Sequence, residues 1–203
     1  MRRWADSTFV FVTANERFEP GCVEERWLPV MRALAQSGAS VRLLAMPASP
    51  VSDAARDIPG VSVDPYILDK WNLVRSRSRL RKYLRRLEPV AVHSTGLEAD
   101  LVTRWAARKV ASVHVVHTVT AGPGSTRRSS PIDALMRRFD ELGMRSAVTV
   151  FVDDAELAAE VASAGVSAER ILLDPDGPGT ERSSVEMHLG LYRDLMAERG
   201  IAR

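Results

Sequence analysis

The stretch LEPVAVHSTGLEADLVTRW (Leu87–Trp105) places a strand-like segment directly before a helix-like one. Its first half contains an apolar, β-branched run that ends in a histidine, Val90–His93. Such a run without polar alternation is typical of a strand that is buried on both faces, as in a parallel sheet. Thr95-Gly96-Leu97-Glu98 then has the pattern of a capping box, which predicts the start of a helix. The residues expected on the buried face of that helix are Leu97, Leu101 and Trp105.

The same alternation of strand-like and helix-like segments extends along the chain in both directions. Six further apolar runs predict strands at Thr8–Thr13, Val41–Ala45, Val61–Val63, Val113–His117, Val148–Val152 and Arg170–Leu173. The segments between them have apolar residues at helical spacing, such as Val23, Trp27, Val30, Met31 and Leu34. Strands and helices in alternation are joined by right-handed crossovers. We therefore expect an α/β fold with a single, Rossmann-like, doubly wound sheet of about seven mainly parallel strands, flanked by helices.

The end of the chain predicts a helix that belongs to the same fold. Ser183-Ser184-Val185-Glu186 resembles a helix start. The apolar face of this helix would consist of Val185, Leu189, Tyr192 and Met196. We expect residues 1–179 to form the Rossmann-like domain and residues 180–203 to form a linker and a helix that packs back on it. Pro47–Gly60 and Thr118–Ser130 have the composition of loops.

Composition indicates an ordinary globular protein. Of the 203 residues, 45% are hydrophobic and 27% are charged, and the formal net charge is +2, which gives no general signal for nucleic acid. The single cysteine, Cys22, cannot form an internal disulfide, and no apolar run reaches the roughly 18 residues of a membrane span. We expect a cytoplasmic protein. No histidine–cysteine cluster has zinc-binding spacing, so we expect neither a metal nor a cofactor.

Polar residues follow the fourth and fifth predicted strands. In an open α/β sheet, ligands bind beyond the carboxyl ends of the strands. The residues at these two ends are His93, Ser94, Thr95 and Gly96 after one strand and His117 and Thr118 after the other. A histidine in this position can bond a ligand hydroxyl or change charge near neutral pH. We expect the two histidines to face one crevice, although a strand-end histidine often has only a structural role.

The loop after the first strand is a second candidate for ligand binding. It runs from Thr13 to Gly21 and lacks the Gly-x-Gly-x-x-Gly pattern that a dinucleotide requires. Gly21-Cys22-Val23-Glu24 leads into a predicted helix, whose first N–H groups could hold a phosphate or another anion. An ordinary loop explains the same residues equally well. A Gly-x-Ser-x-Gly elbow is also absent, which argues against an α/β-hydrolase.

The segment Lys70–Arg86 contains eight basic residues and no acidic one. A helix of this kind can contact the phosphate groups of lipid or nucleic acid. It can equally be a solvated face whose arginine stems cover apolar neighbours. Acidic residues dominate Asp153–Asp176, so the charge distribution is lopsided. We expect an anionic membrane, rather than nucleic acid, as the partner of the basic segment, and hence a protein that is cytoplasmic or peripheral to a membrane.

Several motifs, in their order and spacing, resemble those of the N-terminal domain of family-4-type glycosyltransferases, which have the two-Rossmann GT-B architecture. Gly21-Cys22-Val23-Glu24 resembles the Gly-Gly-x-Glu loop of the family, and Leu87–Ser94 resembles its KPDVVHSH stretch. Val116-His117-Thr118 resembles the strand-end histidine that contacts acceptor or donor, and Ala164–Gly177 resembles the GV..EKI.VIPNG stretch. Three positions depart from the family pattern: Cys22 for glycine, Thr95 for histidine and Asp153 for serine.

The resemblance implies the acceptor-binding half of a retaining glycosyltransferase, which transfers a sugar from a nucleotide-sugar donor to a small-molecule or lipid-linked acceptor. It implies a catalytic role for His117. It implies substrate contacts by Asn15, Gly21, Cys22, His93, Ser94, Thr95, Gly96, Thr118 and Gly122. The family's donor-binding half carries a Glu-x7-Glu segment with an upstream Arg/Lys pair, and no such combination occurs in this sequence. We therefore expect activity to require a donor-binding domain or partner subunit. A non-catalytic binding or regulatory protein and a nucleic-acid binder are the alternatives.

Overall fold

The computed structural model describes residues 4–14, 23–68, 72–110, 113–119, 149–174 and 181–201. Four of the predicted substrate contacts, Asn15, Gly21, Cys22 and Gly122, lie outside the described residues, and so does Lys70 at the start of the basic segment.

The described residues form one seven-stranded sheet in which every neighbouring pair of strands is parallel. The strands are β1 Thr8–Thr13, β2 Ser40–Ala45, β3 Val61–Pro65, β4 Ala91–Thr95, β5 His114–Val119, β6 Thr149–Val152 and β7 Ile171–Leu173. Their order is β3-β2-β1-β4-β5-β6-β7. The direction of the crossovers therefore reverses between β1 and β4, which is the point where doubly wound sheets bind ligands. The predicted fold class is confirmed.

Six α-helices in the described residues cover the two faces of the sheet. They are α1 Val23–Gln36, α2 Pro50–Arg56, α3 Leu73–Leu87, α4 Leu97–Ala107, α5 Ala155–Ser163 and α6 Glu181–Ile201, and short 3-10 turns lie at Trp4–Asp6 and Ala168–Arg170. Side chains of α1, α2 and α6 share a core with one face of the sheet. Side chains of α3, α4 and α5 pack on the other face.

The tail helix α6 is docked on the first face, as predicted. Tyr192, Leu195 and Met196 are buried, and the Tyr192 ring lies 4.9 Å from the ring of Phe9 in β1. Trp27 of α1 belongs to the same aromatic core. Burial of a large apolar side chain stabilises a fold by about 1.5–3 kcal/mol. The helix therefore supplies a substantial part of the hydrophobic core on this face.

One helix lies where the sequence predicts only a loop. Within Pro47–Gly60, the structure forms α2. The Ser49 side chain accepts a hydrogen bond from the Ser52 amide, Pro50 occupies the first turn, and Val51 and Ala55 are buried. Serine followed by proline is a helix-start signal because the hydroxyl caps a free amide and proline needs no amide partner there. The sequence predicts a loop here because proline and glycine residues flank this start signal.

The predicted start and orientation of α4 are wrong. Gly96 is the N-cap, with φ +89°, and no side chain caps the helix. The Thr95 hydroxyl instead donates to the carbonyl oxygen of Thr118 at 3.2 Å. Trp105 is 36% exposed. The buried apolar residues of the helix are Ala99, Val102, Ala106 and Ala107. These small side chains let α4 approach the sheet closely. The helix therefore turns them toward the core, in place of the predicted stripe of Leu97, Leu101 and Trp105.

The sequence predicts two further helix starts, at Asp153 and at Ser183, and the observed starts differ from them by one or two residues. Asp154, not Asp153, caps α5, and its carboxylate accepts from the Leu157 amide at 2.7 Å. Asp153 instead forms an ion pair with Arg26 of α1, also at 2.7 Å. The tail helix α6 begins at Glu181, before the predicted serine start. In α5 the second of two adjacent aspartates has the extended backbone that an N-cap requires.

Candidate functional site

The carboxyl ends of β4 and β5 bring most of the described site candidates together. His93 pairs with Val116, Ser94 with His117, and Thr95 with Thr118. Side chains alternate between the two faces along a strand, and paired residues point to the same face. His93 and His117 therefore lie on opposite faces of the sheet. The prediction that the two histidines face one crevice is wrong.

His117 lies in a buried polar cluster on the face that carries α4. Its Nδ1 atom is 2.9 Å from Oδ1 of Asp100 in α4 and 2.8 Å from Oγ of Ser94 in β4. The Ser94 hydroxyl donates to the same Asp100 oxygen at 2.7 Å. The other ring nitrogen, Nε2, is buried and has no hydrogen-bond partner among the described residues.

This cluster contains serine, histidine and aspartate, yet its geometry is not that of a serine hydrolase. In a hydrolase the serine and the carboxylate bond opposite nitrogens of the imidazole, so the histidine can take the serine proton while the carboxylate holds it. Here Ser94 and Asp100 both contact Nδ1. Nothing in this arrangement makes Ser94 a nucleophile. Nε2 of His117 is the polar atom of this cluster that has no hydrogen-bond partner among the described residues.

His93 lies on the opposite face, under α6, and both of its ring nitrogens are bonded. Nδ1 is 2.7 Å from the Tyr192 hydroxyl, and Nε2 is 2.7 Å from the Thr118 hydroxyl. The ring stacks between Phe11 and Phe151, each with its centroid 5.6 Å away. Burial lowers the pKa of His93 well below its ordinary value. In this position the ring has no nitrogen left for a ligand, and it ties α6 to β4.

The remaining described candidates differ in exposure. Ser94, Thr95 and Thr118 are buried and bonded within the protein. Gly96 is exposed, and a Cβ atom added to it would meet nothing within 4 Å. Because no side chain caps α4, the first amides of that helix are left to solvent or to a ligand.

Three residues that contact the strand-end histidines or the aromatic core beside them were not among the predicted site residues. Asp100 contacts His117, and Tyr192 contacts His93. His188 of α6 stacks on Phe151 with a centroid distance of 4.0 Å and an interplanar angle of 7°. The helical stripe predicted Tyr192 as a core residue. No sequence signal marks Asp100 or His188, because their contacts depend on how each helix is rotated about its axis.

Polar contacts also link the first turns of α1 to the strand ends. The Thr13 hydroxyl at the end of β1 donates to Glu24 at 2.7 Å, and both side chains are buried. Arg26 donates to the Asp174 carbonyl oxygen at 3.2 Å, beyond the end of β7, in addition to its ion pair with Asp153. These bonds hold the described start of α1 at the carboxyl edge of the sheet.

The basic segment forms the exposed side of α3. Its exposed cationic residues are Arg75, Arg79, Lys82, Arg85 and Arg86. The Arg77 guanidinium lies over the Trp105 ring of α4, 4.4 Å from the centroid. Two apolar side chains beside the start of the helix are exposed, Val74 by 59% and Ile67 by 55%. We call this surface the α3 basic face.

The described residues contain no group of three or more His, Cys, Asp or Glu side chains arranged to hold a metal ion. None of the described helices combines the length and the apolar character needed to cross a membrane.

Comparison with known proteins finds one matching family model and several solved structures with a similar fold. The model of the glycosyl transferase 4-like domain matches residues 21–177. No curated protein matches the sequence. Among solved structures, HepE from Anabaena in complex with UDP-glucose is similar, with a TM-score of 0.61 and 10% identity over 91% of this chain and 50% of that chain.

Two other solved structures show the same similarity. A chain of sucrose-phosphate synthase from Thermosynechococcus elongatus has a TM-score of 0.63 and 16% identity, and the match covers 94% of this chain and 99% of that chain. UDP-GlcNAc 2-epimerase from Methanocaldococcus jannaschii has a TM-score of 0.60 and 16% identity, over 83% of this chain and 45% of that chain. The chain thus spans about half the length of HepE and of the epimerase. At these identities, the similarity establishes the fold.

Proposed function

The chain belongs to the glycosyl transferase 4-like domain family, and from this premise we propose that it is the acceptor-binding half of a retaining glycosyltransferase. The donor would be a nucleotide sugar, the class of ligand bound to HepE. The half that binds the donor would be supplied by a second domain, in the same polypeptide or in a partner subunit. The match to about half of the HepE chain supports this division.

The observation that carries the proposal is Nε2 of His117, a buried atom near the carboxyl edge of the sheet that has no hydrogen-bond partner among the described residues. A buried polar atom without a partner costs about 1–3 kcal/mol, so native proteins retain few of them. A hydroxyl group of an acceptor that donates to Nε2 would recover this cost. His117 would then orient the acceptor hydroxyl and share its proton as the new glycosidic bond forms.

The other candidates take different places in this proposal. Gly96 would give the acceptor access to the cluster, because it is exposed and no atom of the described residues lies within 4 Å of a Cβ built on it. Asn15, Gly21, Cys22 and Gly122 stay predicted contacts. Ser94, Thr95 and Thr118 would shape the site from within. His93 would act only through the packing of α6, since both of its nitrogens are occupied.

Ligand-observed NMR on the purified chain tests the proposal with glycoside acceptors and UDP-sugars. We expect His117→Ala to weaken acceptor binding about tenfold, the equivalent of one hydrogen bond of roughly 1.4 kcal/mol. His114→Ala is the matched control, because His114 lies at the amino end of the same strand. Acceptor binding that His117→Ala leaves unchanged would reject the assignment. A folded chain that binds no acceptor would favour the alternative, a non-catalytic binding or regulatory protein.

We further infer that the α3 basic face contacts an anionic membrane, which would suit a lipid-linked acceptor. Each lysine or arginine near an anionic surface contributes about 1 kcal/mol. The exposed Val74 and Ile67 supply apolar contacts beside these charges. Arg79→Glu with Lys82→Glu should abolish sedimentation with phosphatidylserine vesicles, whereas Arg193→Glu on α6 should not. Binding to nucleic acid with no binding to vesicles would contradict the inference.

A further inference from the structure

We propose that Asp100 is a positioning residue for His117, which fixes the imidazole as the Nδ1–H tautomer and makes Nε2 a hydrogen-bond acceptor. This inference rests on the proposed function, because it specifies what kind of ligand group the site takes. It concerns a residue in α4 that has no contact with the reacting atoms.

The tautomer follows from counting hydrogens in the cluster. An ionised carboxylate can only accept hydrogen bonds, and a serine hydroxyl has one hydrogen to donate. Ser94 donates that hydrogen to Oδ1 of Asp100 at 2.7 Å. The contact between Ser94 Oγ and His117 Nδ1, at 2.8 Å, therefore needs its hydrogen on the nitrogen. The contact between Nδ1 and Asp100 Oδ1, at 2.9 Å, needs the same hydrogen.

The opposite tautomer would conflict with this geometry. With the hydrogen on Nε2, the lone pair of Nδ1 would face the Asp100 oxygen at 2.9 Å. The single hydroxyl hydrogen of Ser94 could then be donated either to Asp100 or to Nδ1 of His117, but not to both. With the hydrogen on Nδ1, that N–H is shared between Ser94 Oγ and Asp100 Oδ1, and the Ser94 hydroxyl donates to Asp100, so all three short contacts are hydrogen bonds. When the ring is neutral, this tautomer presents a lone pair at Nε2, the atom without a partner among the described residues.

This assignment selects the chemistry of the ligand. A lone pair at Nε2 accepts a hydrogen bond from a hydroxyl group, and it repels a phosphate or carbonyl oxygen, which also presents lone pairs. The atom of the acceptor that meets His117 is therefore a hydroxyl rather than a phosphate oxygen. Carboxylates that bond the far nitrogen of a functional imidazole fix its tautomer in the same way.

The turn at Gly96 makes the contact possible. Gly96 adopts φ +89°, and its carbonyl oxygen accepts from the Asp100 amide at 2.8 Å in the first turn of α4. The first turn of the helix thereby folds back over the end of β4, where Asp100 reaches Ser94 and His117 together.

Long-range proton–nitrogen NMR of the imidazole rings tests the inference in the full 203-residue chain. The His117 signals are assigned by their loss in His117→Ala. We expect a protonated Nδ1 and an unprotonated Nε2 in the wild type at pH 8. Asp100→Asn should shift the population toward Nε2–H, because the amide can donate to Nδ1. Ser94→Ala should keep the wild-type pattern, because Asp100 still accepts from Nδ1.

Two results would overturn the inference. One is a wild-type His117 with its hydrogen on Nε2, which decides the question even if Asp100→Asn does not fold. The other is a pattern that changes in Ser94→Ala and stays constant in a folded Asp100→Asn. The measurement uses no ligand, so its outcome is separate from the proposed function. If the tautomer is as expected and no acceptor perturbs the Nε2 resonance, acceptor binding fails and the positioning role stands.

Discussion

Replacement of Tyr192 by phenylalanine tests the bond that ties the tail helix to the sheet. The Tyr192 hydroxyl lies 2.7 Å from Nδ1 of His93, and both side chains are buried. The change removes one oxygen atom, keeps the ring, and leaves His93 Nδ1 unpartnered in the core. Such a loss costs about 1–3 kcal/mol. For a chain of this length, each kcal/mol lowers Tm by about 2–4 °C. We therefore expect Tm to fall by about 2–12 °C.

Thermal unfolding at pH 7.5, followed by circular dichroism and calorimetry, measures this effect, and a double-mutant cycle isolates it. His93→Phe alone leaves the Tyr192 hydroxyl unpartnered and is expected to be destabilising for the same reason. Tyr192→Phe combined with His93→Phe removes both polar groups, so the double variant should lose less stability than the sum of the two single variants. We expect a coupling of about 0.5–3 kcal/mol, as for residues in direct contact.

Additive effects in this cycle would refute the reasoning. They would show that the two side chains contribute separately to the core and that the hydrogen bond does not hold α6. A Tyr192→Phe variant with unchanged Tm would refute it more directly, because the buried nitrogen would then have found another partner.

Three further predictions concern the same fold. Deletion of residues 180–203 removes three buried hydrophobic side chains of α6, Tyr192, Leu195 and Met196. Their burial is worth about 5–9 kcal/mol together, against a typical stability of about 5–15 kcal/mol. We expect unfolding or aggregation, and an unchanged cooperative melt would show that the helix is a free appendage. Burial lowers the pKa of His93 and His188, so below about pH 6.5 the unfolded chain takes up protons that the folded chain cannot. Tm should therefore fall from pH 7 to pH 5, and it should fall less steeply in His93→Phe. The same dependence of Tm on pH in both proteins would contradict the lowered pKa of His93. Gly96→Ala should lower the free energy of unfolding in urea by about 1–3 kcal/mol because φ is +89°. Steric crowding does not add to this cost, since no atom of the described residues lies within 4 Å of the added Cβ. Gly190→Ala, in the interior of α6, should instead stabilise the protein by about 0.5–1 kcal/mol, and equal effects of the two variants would argue against backbone strain at Gly96.

Much of the fold was predictable because burial on both faces leaves a plain signal in sequence. Each of the seven described strands overlaps one of the predicted apolar runs, and Thr8–Thr13 matches β1 at both ends. The stripe on α1 is confirmed by the buried Trp27, Val30, Met31 and Leu34. The direction in which α4 turns its side chains was not predictable, because small residues such as Ala99 compete with large ones for a place against the sheet.

The positions of the site candidates were predictable, and their faces were not. Both histidines were assigned to the last position of a predicted strand, which suggested equivalent orientations. In the structure β4 extends to Thr95 and β5 to Val119, and the register pairs His93 with Val116. A shift of one residue sends a side chain to the other face of a sheet. Strand ends are the least certain part of any sequence-based assignment.

The placement of His93 and His117 on opposite faces separates two kinds of evolutionary change. Substitutions around His93 change the packing that holds α6, whereas substitutions around His117 change the polar cluster at which we propose that an acceptor binds. The two meet at Thr118, which bonds His93 and directly follows His117 in the chain. Under the proposed function, a library for altered acceptor preference would randomise the surroundings of Gly96 on the α4 side, while the aromatic core under α6 keeps its native sequence. A library that retains Thr118 should lose few members to misfolding.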